Sequence, residues 1–184
     1  MIKIIGITGP LGSGKTTASE ILQSLGYVQY TFSDIIKDEA RKRNLPTDVR
    51  KILQDIGDEL RNKYGNDVLA RELFKKAKAS KAELIIVDGI RNVGELSYVK
   101  KQGGFILGIN STLENRFKRV SKKGQIYYGK TKEIFQTDEM RDRGIGQKAY
   151  GQHAQECLEA SDVIVDNDKT IASFKKKLLE IISS

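Results

Sequence analysis

The sequence predicts an α/β chain, a parallel sheet with helices on both faces. Three observations carry that reading. Five apolar runs of strand length alternate with stretches of helical periodicity. The first run, Ile2–Thr8, leads into Gly9-Pro-Leu-Gly-Ser-Gly-Lys-Thr16, which fits the phosphate-cradling pattern G-x-x-x-x-G-K-[ST]. A later run, Ala82–Val87, ends in an acid at Asp88, followed by Gly89.

The glycine-rich stretch sits between a strand and a helix, the context its chemistry needs. After it, Ala18, Ile21, Leu22 and Leu25 recur at helical spacing. Gly9, Gly12 and Gly14 permit backbone conformations closed to other residues, so successive N–H groups can turn inward on an anion. The helix start near Lys15 adds its positive dipole end. Lys15 is expected to reach the β- and γ-phosphates of ATP, and the Thr16 hydroxyl to ligate Mg²⁺. Leu11, Ser13 and Thr17 complete the expected nucleotide-binding stretch.

Composition is that of an ordinary globule: 184 residues, 39% hydrophobic and 30% charged. That length suits one well-buried domain. No apolar run approaches membrane-spanning length, and Met1-Ile-Lys3 leads straight into a strand rather than a secretory leader. Cys157 is the single cysteine, which excludes an intrachain disulfide and a cysteine-based zinc site. A cytoplasmic location is expected. The net charge of +8 suits phosphorylated small molecules and also nucleic acid.

In chain order, Gly26 closes a turn and Tyr27–Phe32 reads as a second strand. Ser33 and Asp34 are expected to cap a helix running to about Arg43. Ser33-Asp-Ile-Ile-Lys37 resembles the segment that opens the acceptor-nucleotide helix in P-loop nucleoside monophosphate kinases, although no glycine precedes Asp34. The resemblance implies that Asp34 borders an acceptor nucleotide and that Lys37 or Arg41 meets its phosphate. Asn44–Thr47 is a break with Thr47 as cap; Asp48–Lys63 and Val68–Lys78 read as further helices. Leu53–Arg61 followed by Gly65-Asn-Asp67 resembles phage-type deoxynucleoside monophosphate kinases, implying that Gln54 and Arg61 face the acceptor. Residues 34–78 would then be an acceptor-binding insertion.

Asp88, at the carboxyl end of an apolar strand, fits the Walker-B pattern and is expected to hold Mg²⁺ beside the P-loop. Asp88-Gly-Ile-Arg91 resembles the segment after the third strand in nucleoside monophosphate kinases, where the Arg usually comes one residue later. The resemblance implies that Gly89 allows close backbone approach and that Arg91 forks onto the acceptor phosphate.

Asn92–Gln102 reads as a helix and Gly103–Asn110 as turn plus strand. Ser111 or Thr112 caps Leu113–Lys122. This series again resembles the phage-type enzymes, and also archaeal nucleotide kinases. Arg116, Lys118, Arg119, Lys122, Lys123, Lys130 and Lys132 follow with no intervening acid, and Asp138–Gly144 adds Arg141 and Arg143. Two basic helices joined by a polar segment resemble the lid of these kinases, here about residues 119–143. The resemblance implies that Arg116, Arg119 and Arg141, with Arg143 behind them, neutralise the transferring phosphoryl.

Gly146–Ala160 reads as a helix loosened near Gly151, with His153 and Cys157 as packing residues. Ala160–Asn167 resembles the closing strand shared by dephospho-coenzyme A kinases and nucleotide kinases, which implies that Asn167 to Lys169 lie near the adenine of ATP. Thr170–Ile182 is a terminal amphipathic helix with Ile171, Phe174, Leu178 and Ile181 inward. The order is β-α-β-α-α-β-α-β-α-α-β-α, and the P-loop kinase arrangement implies strand order 2-3-1-4-5.

Three functions are compatible with the sequence. The first is Mg²⁺-ATP-dependent phosphoryl transfer to a nucleoside or deoxynucleoside monophosphate. The second keeps the fold and makes dephospho-coenzyme A the acceptor; against it, Thr31-Phe-Ser-Asp34 supplies one Asp where that family carries a pair. The third, least favoured, is a regulatory P-loop ATPase binding nucleic acid through the basic run 116–132, with Tyr127 and Tyr128 stacking on bases.

Overall fold

The computed structural model describes residues 3–122 and 132–183. Lys123, Tyr127, Tyr128 and Lys130 of the basic run lie outside the described residues. The elements follow as β1 (Ile4–Thr8), α1 (Lys15–Gln23), β2 (Val28–Thr31), α2 (Phe32–Lys42), α3 (Arg50–Tyr64), α4 (Val68–Ser80) and β3 (Ile85–Ile90). Then come α5 (Val93–Lys101), β4 (Phe105–Asn110), α6 (Leu113–Lys122), α7 (Lys132–Arg143), α8 (Ala154–Glu159), β5 (Val163–Asp166) and α9 (Ile171–Ser183).

All strands are parallel, in the order β2-β3-β1-β4-β5, as the sequence implied. Period-2 alternation divides the apolar residues between the two faces. Ile5, Ile7, Ile86, Leu107 and Ile109 pack with Ala18, Leu22, Phe174 and Leu178 from α1 and α9. Ile85, Val87, Ile90 and Ile106 pack on the other face with Leu69, Leu73 and Phe74 from α4 and with Leu96 and Val99 from α5. Gly6 stands on the central strand because a Cβ there would lie 2.7 Å from Ile90 Cδ1 and 2.8 Å from Ile106 Cδ1. A third, small cluster joins Leu11 of the P-loop to Val120 of α6 and Phe135 of α7, with Phe117 against it. The Phe117 and Phe135 rings meet edge-on at 5.5 Å.

Several local expectations need correcting. Three helices separate β2 from β3 and three separate β4 from β5, as the stretches read one by one, so the order β-α-β-α-α-β-α-β-α-α-β-α is one helix short in each gap. The cap of α2 is Thr31, whose Oγ1 accepts from the Asp34 N–H at 3.0 Å, so the helix starts before Ser33 and Asp34. Helix α3 begins at Arg50 behind Val49 rather than at Asp48 behind Thr47. The helix expected over Gly146–Ala160 is only α8, because Gly144 and Gly146 take positive φ values of 102° and 69°, which a right-handed helix cannot continue through. Ile171 is 71% exposed rather than inward, since it is the first residue of α9 and precedes the apolar stripe that Phe174 opens. No helix among the described residues is long and apolar enough to cross a membrane.

Candidate active site

The carboxyl ends of β1 and β3 open into a cleft of ≈ 750 Å³. A parallel sheet presents its strand ends and helix N-termini together, so both motifs face this space. Leu11, Gly12, Gly14, Lys15, Thr16 and Thr17 line one side. Gly12 and Gly14 take φ values of 78° and 111°. Gly14 is also the N-cap of α1 and offers that helix no side-chain acceptor, so the positive helix end faces the cleft. Gly9 does not line the cleft. A Cβ on it would lie 2.1 Å from the Ile109 carbonyl oxygen, so it fixes how closely the loop root packs on β4.

Ser13 Oγ is buried and has no hydrogen-bond partner among the described residues. A glycine cradle, an uncapped helix start and an orphaned hydroxyl together fit a phosphate chain. The Lys15 ammonium donates to the Gly9 carbonyl at 2.6 Å and to the Pro10 carbonyl at 3.0 Å. Burial, with the Arg91 guanidinium nearby, brings its pKa down to about 8.

Asp88 lines the same cleft, beside Gly89 and Arg91. Its Oδ2 accepts from Gln29 Nε2 at 2.8 Å. Burial pushes its carboxyl pKa up, against the opposing pull of Lys15 and Gln29. A half-buried carboxylate held by the neutral Gln29 amide, sharing a cleft with the Thr16 hydroxyl, is an all-oxygen donor set that fits a hard divalent cation such as Mg²⁺.

Arg91 is positioned by a capping box. Asn92 caps α5 by accepting from the Gly94 N–H at 2.9 Å, and Glu95 Oε2 accepts from the Arg91 and Asn92 N–H groups at 2.9 and 3.1 Å. The Arg91 carbonyl accepts from the His153 N–H at 2.6 Å. The Glu95 side chain is fully buried, and its Oε1 accepts from Arg61 Nε at 2.8 Å.

The sequence-selected residues divide into two groups. Asp34, Lys37, Arg61, Gly89, Arg91, Arg119 and Asn167 line the cleft, and Lys169 lies with Asn167. Arg41, Arg116 and Arg141 do not. Arg41 is exposed and pairs with Asp38 at 2.6 Å. Arg116 is buried and donates to the Ser111 and Leu11 carbonyls and to Glu139 Oε1. Arg141 pairs with Asp55 and Asp58 of α3 at 2.7 and 2.9 Å. Arg143 pairs with Glu139 at 3.7 Å. Arg119 braces the loop, donating to the Ser13 carbonyl at 3.2 Å, to Ser111 Oγ and to the Asn167 carbonyl.

The sequence reading missed Arg50 and Gln152, which also line the cleft, and Asp142 behind them. Arg50 opens α3 in a stretch read for its apolar face. Asp142 lies among basic residues that drew attention to their arginines. The signal for both was the same: acids and bases at comparable density in α3 and α7.

Residues 5–143 match the family described as AAA domain. The chain is similar to a UPF0200 protein of Methanosarcina acetivorans, 31% identical over 188 residues that span 100% of this chain and 96% of the relative. Among solved structures it resembles the shikimate kinase of Acinetobacter baumannii in complex with shikimate, with a TM-score of 0.58, 18% identity, and 100% and 94% of the two chains covered. It also resembles the dephospho-CoA kinase of Campylobacter jejuni, with a TM-score of 0.54, 16% identity, and 100% and 96% covered. At these identities the structural likeness speaks for the fold, which is P-loop kinase-like.

Proposed function

This chain belongs to the AAA domain family and to the UPF0200 proteins, and on that premise we propose that it is a Mg²⁺-dependent ATP kinase whose acceptor is a nucleoside or deoxynucleoside monophosphate. The observation that carries the reading is one cleft that gathers Lys15, Asp88, Arg91 and Arg119 with Asp34, Lys37 and Arg61. A nucleotide-sized space with cations along both walls suits two phosphorylated molecules meeting end to end.

In this reading the P-loop holds the β- and γ-phosphates of ATP, with Asn167 and Lys169 toward the adenine. Thr16 and Asp88 would hold Mg²⁺, which supplies charge neutralisation between the phosphates when bound. Lys15 and Arg91 orient the two phosphate groups for in-line transfer. An acceptor phosphate is already nucleophilic, so the chain needs to supply positioning and positive charge rather than a strong base. The insertion 34–78 forms the acceptor side. The described residues of the lid, 119–122 and 132–143, form the side opposite, and Arg119 stiffens the loop that carries the donor. Arg116 and Arg141 act through the acids they pair with, holding α6 and α7 in place.

The test is ADP formation from Mg²⁺-ATP with a full panel of ribo- and deoxyribonucleoside monophosphates, against Lys15→Ala. Acceptor-stimulated ADP above that background is expected for at least one nucleotide; none across the panel ends the reading. A second reading takes a hydroxyl acceptor, favoured by the structural likeness to dephospho-CoA and shikimate kinases. Dephospho-coenzyme A and shikimate in the same assay separate the two.

A further inference from the structure

Asp142 is a fully buried acid at the end of α7, and the chemistry above makes no use of it. Its Oδ1 accepts from Arg91 Nη1 and from Arg50 Nη2, the latter at 3.5 Å. Its Oδ2 is buried and has no hydrogen-bond partner among the described residues. Arg50 comes from the first turn of α3 and Arg91 from the residue after β3, and both line the cleft together with Lys15. We infer that Arg50 joins Arg91 as a two-guanidinium seat for the acceptor's phosphate, and that Asp142 is an internal anion holding that seat until phosphate displaces it. This rests on the reading of a phosphorylated acceptor.

The argument is one of charge and satisfaction. Two guanidinium groups from separate elements converging on one oxygen reproduce how a phosphate oxygen is gripped. Without a counter-anion, Arg50, Arg91 and Lys15 would repel one another across the cleft, and the Asp142 carboxylate supplies that charge. Burial works to raise its pKa; Arg91, Arg50 and Lys15 outweigh this and hold it below the usual carboxylate range. Yet it fits the seat poorly. One oxygen is shared and the other undonated, a costly state for a buried carboxylate. A phosphate monoester brings three acceptor oxygens and about −1.5 to −2 charge, so it satisfies both guanidinium groups where Asp142 does not.

Two anions cannot comfortably share the Arg91 guanidinium, because like charges a hydrogen bond apart disfavour one another. The other charged groups facing the seat are Asp138, whose Oδ2 lies 3.4 Å from Arg50 Nε, along with Asp88 and Arg116. Asp138 keeps Arg50 oriented after Asp142 leaves. Because Asp142 is part of α7, its displacement loosens the end of that helix. Acceptor arrival is thereby coupled to the region carrying Arg141 and Glu139.

The test uses the whole chain saturated with Mg²⁺ and a non-hydrolysable ATP analogue, so that the P-loop is filled, and titrates inorganic phosphate by calorimetry. Asp142→Asn removes the competing charge and is expected to bind phosphate about tenfold more tightly than the native chain, within the usual range of coupling between sites. Arg50→Gln and Arg91→Gln are each expected to weaken it by about tenfold or more. Equal or weaker phosphate binding in Asp142→Asn overturns the inference. A second measurement needs no variant: phosphate added to the native chain should speed amide hydrogen exchange at the end of α7. Unchanged or slower exchange there also overturns it. The acceptor panel is read independently. Tighter phosphate binding by Asp142→Asn with no nucleotide acting as acceptor would leave the seat standing and sink the acceptor reading, and the reverse result would do the opposite.

Discussion

The side-chain amide of Asn167, just past β5, donates to the Ser13 carbonyl at 2.9 Å, which ties the last strand of the sheet to the loop after the first. The same amide nitrogen lies 2.2 Å from where a Cβ on Gly14 would fall. Gly14→Ala is therefore expected to destabilise the chain by about 1–3 kcal/mol, because the residue is held at positive φ and must also push Asn167 aside. Urea unfolding measures the loss. Adding Asn167→Ala should recover only part of it, since the backbone strain remains.

Lys15 should report nucleotide binding as a proton uptake. Its pKa of about 8 without a bound anion should rise toward the ordinary 10.5 when phosphates surround it. Binding at pH 8 then takes up a fraction of a proton, while at pH 6 Lys15 is already charged and contributes none. Calorimetry with an ATP analogue in buffers of different ionisation enthalpy measures this, and Lys15→Met should remove the pH 8 component. The sign for stability follows from the depressed pKa. Between about 8 and 10.5 the unfolded chain holds the proton and the folded one does not, so stability of the ligand-free chain should rise with pH across that window.

Asp88→Asn keeps the bond to Gln29 available through the amide oxygen and removes the charge that would hold Mg²⁺. Activity is expected to fall by about 100-fold or more. High Mg²⁺ should restore part of it, read from Mg²⁺ titrations of ADP formation. Thermal stability should hold or rise, because a half-buried carboxylate whose pKa is raised by desolvation is costly to keep charged.

Glu95→Gln strikes the junction that fixes Arg91. The glutamine can still accept from the two backbone N–H groups, but of the two acids that pair with buried Arg61 only Asp58, at 3.3 Å, remains. Because one counter-charge is kept, the loss should fall below the ~3–5 kcal/mol that a wholly uncompensated buried partner costs. The midpoint in urea should drop accordingly, with acceptor KM rising more than ATP KM, because the weakened partner, Arg61, lines the acceptor side of the cleft.

The sheet was legible because the apolar runs, the glycine pattern and the Asp-ending strand are local signals, each complete within about ten residues. The implied strand order and the observed one agree. What could not be read was pairing across the chain. Arg116, Arg119 and Arg141 look alike as sequence, yet one is spent on Glu139 and two carbonyls, one braces the phosphate loop, and one is held by α3. Arg61 and Glu95 lie 34 residues apart, and nothing in either neighbourhood announces the other. Periodicity misjudged Ile171 and the stretch before α8 for a different reason. At helix ends and at glycines with positive φ, the regular repeat no longer tells which way a side chain points.

The small cluster of Leu11, Val120 and Phe135 makes the phosphate loop share an apolar core with α6 and α7 instead of with either face of the sheet. Phe135 is buried in it and does not line the cleft. A genetic screen for lost turnover would therefore return truncations at Phe135 alongside changes at Lys15, and only melting curves would tell a loosened loop support from a missing charge.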